Sequence, residues 1–389
     1  MLTHLFWILF GLIAYTYLGY TLIILLISLF VRKYDNPSIA DSDLPSISFI
    51  IAAYNEMAIL PKKIENCLQI NYPRSKIQFI IITDGSTDGS EKLAERYDQI
   101  RFLHQAAREG KMAAVNRAMR QVSTSYTIFS DANTMLDKNS VKWMIVSLLN
   151  PKTGCVAGEK RILNQTKDSA SGAGEGIYWN YESLIKKLES KVGSTIGAAG
   201  ELFGIRTELY EAPAKDTIID DFVISLKVAL KGFYIKYQHK AIATEHASLS
   251  INEEKKRKIR IAAGGFQVLF RMPQLLNVFK HGLLSFQYFS HKVLRWLVVP
   301  FSIPLLAFLN IFLVYQQPSV LIYLVALLLQ MLFYFFAIIG FLVQKSKLRA
   351  KILFVPYYIL MMNYTTLLGL VRYIKGQQSA AWEKAERSK

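Results

Sequence analysis

Three acidic residues lie at or just after the ends of short apolar runs in the first third of the sequence: Glu56, Asp84 and Asp131. Such runs, rich in β-branched and aromatic residues, are typical of buried strands. Parallel strands present their carboxyl ends at one edge of a sheet, where open α/β folds bind their ligands. Because Asn133 follows Asp131 by two residues, this pair could hold a hard divalent cation against the phosphates of a ligand. Each acid taken alone is also explained as a turn or helix-cap residue.

Lys111 and the pair Asp220 and Asp221 place charges where helices are predicted to begin. Lys111 follows Gly110 at a helix start and could contact a phosphate, although a solvated surface lysine would give the same pattern. The two aspartates open an amphipathic helix predicted over 218–230. One acid is enough to cap a helix, so the second is a candidate for chemistry; the alternative is that both are caps.

Apolar runs alternate with helical patterns through the first part of the chain. Strands are predicted at 46–53, 79–83, 100–103 and 126–129, with helices at about 60–68 and 110–121. Strand, helix, strand in alternation is the pattern of a parallel sheet covered by helices. We therefore expect an α/β domain with a Rossmann-like, mixed and mostly parallel sheet.

The composition indicates membrane segments beside this domain. Hydrophobic residues make up 52% of the 389 residues and the mean hydropathy is +0.23, which is too apolar for a soluble chain. The uncharged stretch 5–31 is long enough to cross a bilayer, and the Arg32 and Lys33 that follow it should stay in the cytoplasm. An aromatic, mildly basic stretch at 279–295 predicts an interfacial helix. Three further spans are predicted at 296–315, 320–343 and 352–371, the last with a re-entrant segment as its alternative.

The formal net charge of +17 restricts the partners. A basic protein can bind nucleic acid, anionic lipid or a phosphate-rich substrate, but no basic helical stripe with interleaved base-stacking aromatic residues is present in the sequence. We therefore expect membrane lipids and the phosphates of a nucleotide as partners, and no nucleic acid. Cys67 and Cys155 have no metal-binding or redox spacing and are predicted to be buried thiols.

Four sequence motifs resemble those of the family 2 glycosyltransferases, which have the GT-A fold and include the cellulose, chitin and hyaluronan synthases. They are AAYNE at 52–56, TDGSTDGS at 83–90, REGKMAAVN at 108–116 and SDANT at 130–134. The resemblance extends over roughly 46–275. It implies that Ala53, Tyr54, Glu56 and Asp84 contact the nucleoside of a nucleotide-sugar donor, with Lys111 nearby on the phosphates. It also implies that Asp131 and Asn133 hold Mg²⁺ or Mn²⁺ on the diphosphate, with a neutral amide where the family has a second aspartate.

The second half of the domain supplies the expected chemistry. Asp221 matches the aspartate of the family's Glu-Asp motif, which implies that it is the general base that takes the proton of an attacking sugar hydroxyl. With one base and no second carboxylate as nucleophile, we expect inversion at the anomeric carbon. The acceptor sugar is expected beside Gly200, Glu201 and Asp220.

Arg257 and Arg260 lie three residues apart in a basic helix and could clamp phosphates. Arg260 matches the arginine of the family's Gln-x-x-Arg-Trp motif. The glutamine and the tryptophan are absent, so the resemblance does not imply processive polymerisation.

These predictions divide the chain into a membrane helix, a linker, a cytoplasmic catalytic domain, an interfacial helix, C-terminal membrane helices and a basic tail, at 1–34, 35–45, 46–278, 279–295, 296–375 and 376–389. The expected function is sugar transfer in envelope or extracellular polysaccharide synthesis at the inner (plasma) membrane, with partner subunits for export. The acceptor is a glycan, or alternatively a polyprenyl phosphate or glycolipid. A non-catalytic membrane scaffold is the alternative from another class.

Overall fold

The computed structural model describes residues 1–31, 39–163, 170–246, 250–343 and 351–379. Arg32, Lys33, the first part of the predicted linker and the tail beyond 379 lie outside these ranges. The fold described below therefore contains the whole predicted catalytic domain except two short segments, 164–169 and 247–249.

The α/β domain predicted over 46–278 is built on an eight-stranded mixed sheet in the order β3-β2-β1-β4-β7-β6-β8-β5. The first four strands in this order are parallel to one another, and so are β6 and β8, whereas β7 and β5 pair antiparallel with their neighbours. The strands are β1 (Ile47–Ala53), β2 (Ile77–Asp84), β3 (Ile100–Gln105), β4 (Tyr126–Asp131), β5 (Met135–Leu136), β6 (Thr153–Leu163), β7 (Phe203–Arg206) and β8 (Tyr234–His246). The four predicted strands and the mostly parallel sheet are confirmed.

Within the described ranges, ten helices of nine or more residues accompany the sheet. They are α1 (Leu2–Phe30), α2 (Leu60–Leu68), α3 (Lys111–Met119), α4 (Ser140–Leu148), α5 (Ala170–Val192), α6 (Asp220–Leu230), α7 (Ile251–Arg271), α8 (Leu283–Gln316), α9 (Leu321–Val343) and α10 (Lys351–Ile374). The predicted helices at 60–68, 110–121 and 218–230 correspond to α2, α3 and α6.

The burial of strand β1 explains why the sequences of the parallel strands are apolar without interruption. All seven of its residues are buried. Phe49 and Ile51 pack with α2 and α4 on one face, while Ile50 and Ala52 pack with α3 and α6 on the other. A parallel strand covered on both faces has no polar alternation. Because Ala52 pairs with Asp131 of β4 and Ala53 with Thr83 of β2, the carboxyl ends of these strands are level.

Among the residues that the structure describes, three helices, α1, α8 and α9, are long and apolar enough to cross a membrane by length and composition. Helix α8 begins at Leu283, so the boundary predicted at 295 falls inside one continuous helix rather than between an interfacial helix and a span. The third C-terminal stretch forms α10, which is a single helix through Pro356 and Asn363. It packs along α7, where a Cβ on Gly369 would lie 2.5 Å from the Cβ of Ala262.

A buried ion cluster joins the membrane helices to α5. Its members are Tyr20, Glu182, Glu189, His291, Lys292 and Arg295. The Tyr20 hydroxyl donates to Glu189 Oε1 at 2.5 Å, and His291 Nδ1 lies 2.8 Å from the same oxygen. Three polar residues of the predicted interfacial helix at 279–295, namely His291, Lys292 and Arg295, therefore face the protein interior.

Candidate active site

A cavity of about 260 Å³ lies at the carboxyl edge of the sheet. It is bounded by the start of α3, the end of β4, the loop before β7, the start of α6, and side chains of α5, α7 and α8. Among its lining residues are Lys111, Asp131, Gly200, Asp220, Asp221 and Arg260. Lys111 and Arg260, which are 149 positions apart in the sequence, thus share one cavity.

Lys111 bridges two of the carboxylates. Its Nζ lies 3.0 Å from Asp131 Oδ1 and 3.3 Å from Asp220 Oδ2. Burial lowers the pKa of Lys111, but Asp131, Asp220 and Asp221 together outweigh burial and raise the pKa well above its ordinary value. The ammonium group is therefore a fixed positive charge in the cavity, and the alternative of a solvated surface lysine is excluded.

Gly200 sits between Asp131 and Asp221. A Cβ at this position would lie 3.2 Å from Asp131 Oδ2 and 3.4 Å from Asp221 Oδ2. A side chain larger than a methyl group at position 200 would occupy the space between the carboxylates of Asp131 and Asp221. Glycine therefore keeps this part of the cavity open to a ligand.

Asp221 has an unusual ionisation. Burial is the largest cause and, with the neighbouring charges of Asp220 and Glu201, raises the pKa of Asp221 to about 7 against the opposing effect of Lys111. Its Oδ1 accepts a hydrogen bond of 2.8 Å from the Phe222 backbone N–H. A carboxylate with a pKa near neutrality can take up a proton and release it again, as a general base must.

Three of the residues predicted to contact the nucleoside, Ala53, Tyr54 and Asp84, line a small hollow that shares Lys111 with this cavity. Ala53 ends β1, and the guanidinium of Arg108 lies 3.9 Å from the centre of the Tyr54 ring. Glu56 precedes α2 by four residues, and its carbonyl oxygen accepts from the N–H groups of Ile59 and Leu60.

Asp84 fixes the loop that presents Lys111. Its Oδ2 accepts from the backbone N–H groups of Glu109 and Gly110 at 2.9 and 2.6 Å. Its Oδ1 accepts from Arg117 Nη2 at 2.8 Å. Asp84 thus connects the end of β2 to the start of α3, and a nucleoside contact by its carboxylate remains a prediction.

Glu201 belongs to a buried charge network. Its carboxylate pairs with Lys160 and lies 3.2 Å from Arg257 Nη2, and Lys160 also pairs with Glu245 at 2.5 Å. Burial raises the pKa of Glu201, but Lys160 and Arg257 outweigh burial and hold it well below its usual range. In this structure Arg257 contacts protein carboxylates, so its expected phosphate contact and the acceptor contact of Glu201 stay predictions.

Arg260, one turn further along α7, is placed differently. Its Nη2 donates to the Ile218 carbonyl oxygen at 3.1 Å. Its Nε is buried and has no hydrogen-bond partner within the part of the chain that the structure describes. A guanidinium N–H that lines the cavity without an acceptor is suited to an anionic ligand.

The donor set fits a hard divalent cation only in part. The Asp131 side chain is 23% exposed and forms an ion pair with the Lys111 ammonium. Its carboxylate oxygens are therefore accessible to a positive group. Asn133 Nδ2 lies 3.3 Å from Glu245 Oε1. Over the described ranges, no group of three His, Cys, Asp or Glu side chains is placed to hold a metal. A cation bound here would therefore need further oxygen ligands from phosphate or water.

Several residues of the site were not predicted from the sequence. Arg108, Arg117 and Lys160 acquire their roles from partners on other elements, which sequence spacing does not reveal. Lys63 is different. It lies on the same face of α2 as the apolar Leu60 and Ile64, and an inward-facing lysine is a signal that could have been recognised.

Two family models match the sequence: Glycosyl transferase family 2 over residues 48–212 and Glycosyl transferase family group 2 over residues 160–343. The chain is 32% identical over 248 residues to "Poly-beta-1,6-N-acetyl-D-glucosamine synthase" of Staphylococcus aureus strain COL, covering 60% of this chain and 58% of that protein. It is 31% identical over 236 residues to the Staphylococcus epidermidis protein of the same name, covering 58% and 56%. The chain thus matches somewhat more than half the length of these curated relatives.

Among solved structures, the mannosyltransferase PcManGT from Pyrobaculum calidifontis, in complex with GDP-Man and Mn²⁺, superposes with a TM-score of 0.69. It is 19% identical, and the match covers 96% of this chain and 99% of that one. This likeness shows the fold, which is a GT-A domain flanked by membrane helices. The chain belongs to the family 2 glycosyltransferases, as the resemblance of its motifs implied.

Proposed function

We propose that this chain is an inverting membrane glycosyltransferase that transfers a sugar from a nucleotide diphosphate sugar to a glycan acceptor, in envelope or extracellular polysaccharide synthesis. The observation that carries the proposal is Asp221, a carboxylate with a pKa of about 7 in a cavity that also holds Asp131 and Lys111. A sugar hydroxyl is a poor nucleophile until a base accepts its proton. Asp221 is the base, and the acceptor hydroxyl lies beside Gly200.

The donor is held by its diphosphate and its base. Lys111 and Arg260 are two of the positive residues that line the cavity, and they stabilise the charge that develops on the leaving diphosphate. Tyr54, under Arg108, provides a flat surface for the base, which we propose is uracil. A bound Mg²⁺ or Mn²⁺ on Asp131, with Asn133 as second protein ligand, would neutralise further diphosphate charge.

We infer inversion at the anomeric carbon because Asp221 is assigned as the base and no carboxylate is assigned as a nucleophile. Asp220, the second acid at the start of α6, has its carboxylate 3.3 Å from the Lys111 ammonium. Asp220 is therefore the counter-ion of Lys111, and it lies next to the acceptor site. With Asp221 as base and no carboxylate committed as nucleophile, the hydroxyl attacks the anomeric carbon directly.

The relatives indicate which sugar to test first. Both curated relatives are called poly-beta-1,6-N-acetyl-D-glucosamine synthases. We therefore propose an N-acetylglucosamine nucleotide as donor and an extracellular glycan as product. The apolar helices α1, α8 and α9 anchor the enzyme in the plasma membrane, with the catalytic domain on the cytoplasmic side that Arg32 and Lys33 favour. Export of a polymer would involve partner subunits.

The test is release of nucleoside diphosphate by purified membranes that contain the full chain, offered a panel of nucleotide sugars with Mg²⁺ or Mn²⁺. We expect release with one donor, and a fall of roughly 10²- to 10⁴-fold in Asp221→Asn, because that is the usual contribution of a general base. Asp98→Asn, which changes an exposed aspartate, is the matched control and should leave the rate unchanged.

Two outcomes would contradict the proposal. Full activity in Asp221→Asn would remove Asp221 from the chemistry. Nucleotide binding without turnover of any donor, in the presence of added glycan acceptors, would favour a non-catalytic scaffold.

A further inference from the structure

A second cavity, of about 380 Å³, lies among α1, α5, α8 and α10. Its walls are mainly aromatic and aliphatic, and include Tyr17, Tyr178, Trp296, Val355, Ile359 and Met362. Its volume lies in the range of pockets that bind small molecules. Neither the proposed transfer reaction nor the packing of the sheet uses this space.

Arg295 is the charged group in this cavity wall. Its Nη1 donates to Glu182 Oε2 at 3.0 Å, whereas its Nε and Nη2 are buried and have no hydrogen-bond partner among the described residues. The guanidinium lies 5.1 Å from the centre of the Tyr181 ring. Buried donors without acceptors are costly. Two such donors on one guanidinium indicate a ligand with a planar or anionic acceptor group.

The cavity opens at the level of the membrane helices. Leu18, on the membrane helix α1, lines it and is 67% exposed. Helix α8, which carries Arg295, is also long and apolar enough to span a bilayer. The cavity is therefore lined in part by two helices that are apolar and long enough to span a bilayer, and lipid is the ligand class that such helices contact.

The polar groups in the wall are mostly used by the protein itself. The Tyr181 hydroxyl donates to the Tyr17 carbonyl oxygen, and Asn363 Nδ2 donates to the Tyr17 hydroxyl and the Ile359 carbonyl. A sugar chain would bring many hydroxyl groups to a wall with few available partners. A hydrocarbon chain needs none and gains from burial.

We propose that this cavity binds one lipid with a phosphate headgroup. The phosphate accepts from Nε and Nη2 of Arg295, and one hydrocarbon chain lies along Val355, Ile359 and Met362. Two sources share this chemistry, a membrane phospholipid and a polyprenyl phosphate. Because Tyr178 and Trp296 line both this cavity and the catalytic one, the bound lipid lies next to the catalytic cavity.

The test is lipid binding to the purified full chain in neutral detergent, measured by native mass spectrometry without any sugar donor. Phosphatidic acid is compared with diacylglycerol of the same chains, which lacks only the phosphate. We expect phosphatidic acid to bind at least tenfold more tightly, and Arg295→Gln to abolish this preference, because a charge-assisted hydrogen bond is lost. Arg372→Gln, in the last turn of α10, is the matched control and should keep the preference.

A second variant tests the hydrocarbon part. Ile359→Trp fills the cavity without changing Arg295, and should weaken binding of both lipids at least tenfold. Thermal unfolding of each variant verifies that it is folded. Equal binding of the two lipids to the wild type, or an unchanged preference in folded Arg295→Gln, would overturn the proposal.

A final arm separates the two sources. A short polyprenyl phosphate competes with phosphatidic acid for the wild-type protein, and the stronger competitor identifies the lipid. Asp221→Asn is expected to bind lipid as the wild type does. Lipid binding therefore stands or falls independently of the proposed transfer reaction.

Discussion

The carboxyl group of Asp221 ionises near neutrality because burial and the charge of Asp220 oppose its negative form. An exposed aspartate would remain a weak base with a pKa near 4. The environment therefore increases the basicity of the one group that must take a proton. Lys111 limits this effect, since its ammonium favours ionised carboxylates in the same cavity.

This pKa predicts the pH dependence of transfer. Only the ionised form of Asp221 accepts a proton, and a raised pKa means that this form is lost as the pH falls through about 7. We expect the rate to be constant above about pH 8 and to fall about tenfold per pH unit well below 7. The measurement is kcat/KM for donor consumption between pH 5.5 and 8.5. A rate that is still constant at pH 5.5 would show that Asp221 is not the base.

Lys63 supports the loop that carries Asp131. It is completely buried, and its Nζ donates to Ser130 Oγ at 2.8 Å and to the Thr134 carbonyl oxygen at 2.5 Å. One ammonium therefore holds both ends of the segment that contains Asp131. Because the lysine does not line the cavity, its effect on the site is positional.

We expect Lys63→Met to destabilise the protein and impair transfer. Methionine fills a similar volume but leaves the Thr134 carbonyl without this donor, which costs about 1–3 kcal/mol. Thermal unfolding measures the loss of stability. Donor titrations measure the second effect, a lower affinity for the nucleotide sugar as the Asp131 loop moves. Lys62→Met, on the exposed face of the same helix, should change neither quantity.

Helix α7 is the element that connects the site to the membrane helices. It carries Arg257 and Arg260, and it contacts α8 closely because a Cβ on Gly265 would lie 3.0 Å from the Trp296 ring. On another side it packs against α10, with the rings of Phe270 and Tyr373 stacked at 5.5 Å. A displacement of α7 would therefore move the two arginines.

Gly369 is where this packing can be tested. A leucine there would clash with Ala262 and the backbone of α7, and overpacking of this kind costs about 1–3 kcal/mol. We expect Gly369→Leu to lower the unfolding temperature and the transfer rate. Gly11→Leu is the control, since no atom lies within 4 Å of a Cβ at that position in α1. Equal effects of the two substitutions would contradict close packing of α10 on α7.

Elements differ in how far the sequence predicts them. The strands and their terminal acids could be predicted because β1, β2 and β4 are buried on both faces and end at polar turns. The charge network around Glu201 could not be predicted, because its members lie on β6, β8 and α7, which are distant from Glu201 in the sequence. The polar residues of 279–295 suggested a membrane surface, whereas His291 and Lys292 pair with acids of α5.

At the scale of the whole molecule, the membrane helices and the catalytic domain share buried polar contacts. Glu189 accepts from Tyr20 of α1 and also, through Oε2, from Thr195 Oγ1 at 3.0 Å and the Ile196 N–H at 3.2 Å. Residues 195 and 196 directly precede the small-residue loop that contains Gly200. The N-terminal membrane helix is thus connected to the catalytic cavity through one carboxylate.

We expect Tyr20→Phe to lower the unfolding temperature and reduce transfer, although Tyr20 lies outside the cavity. The substitution removes one hydrogen bond to a buried carboxylate, which contributes about 1.5–3 kcal/mol. Thermal unfolding and donor consumption are measured beside Tyr315→Phe, which alters a tyrosine that is 84% exposed. Unchanged stability in Tyr20→Phe would mean that the remaining partners of Glu189 suffice.

The same contacts constrain the order of folding during synthesis. Tyr20 pairs with a residue 169 positions later, and the Tyr15 hydroxyl pairs with Ser290, 275 positions later. Because chains are synthesised from the N-terminus, α1 enters the bilayer long before these partners exist. Until Glu189 and Ser290 have been translated, the hydroxyl groups of Tyr20 and Tyr15 lack these partners. The first helix to be made is therefore among the last to complete its contacts.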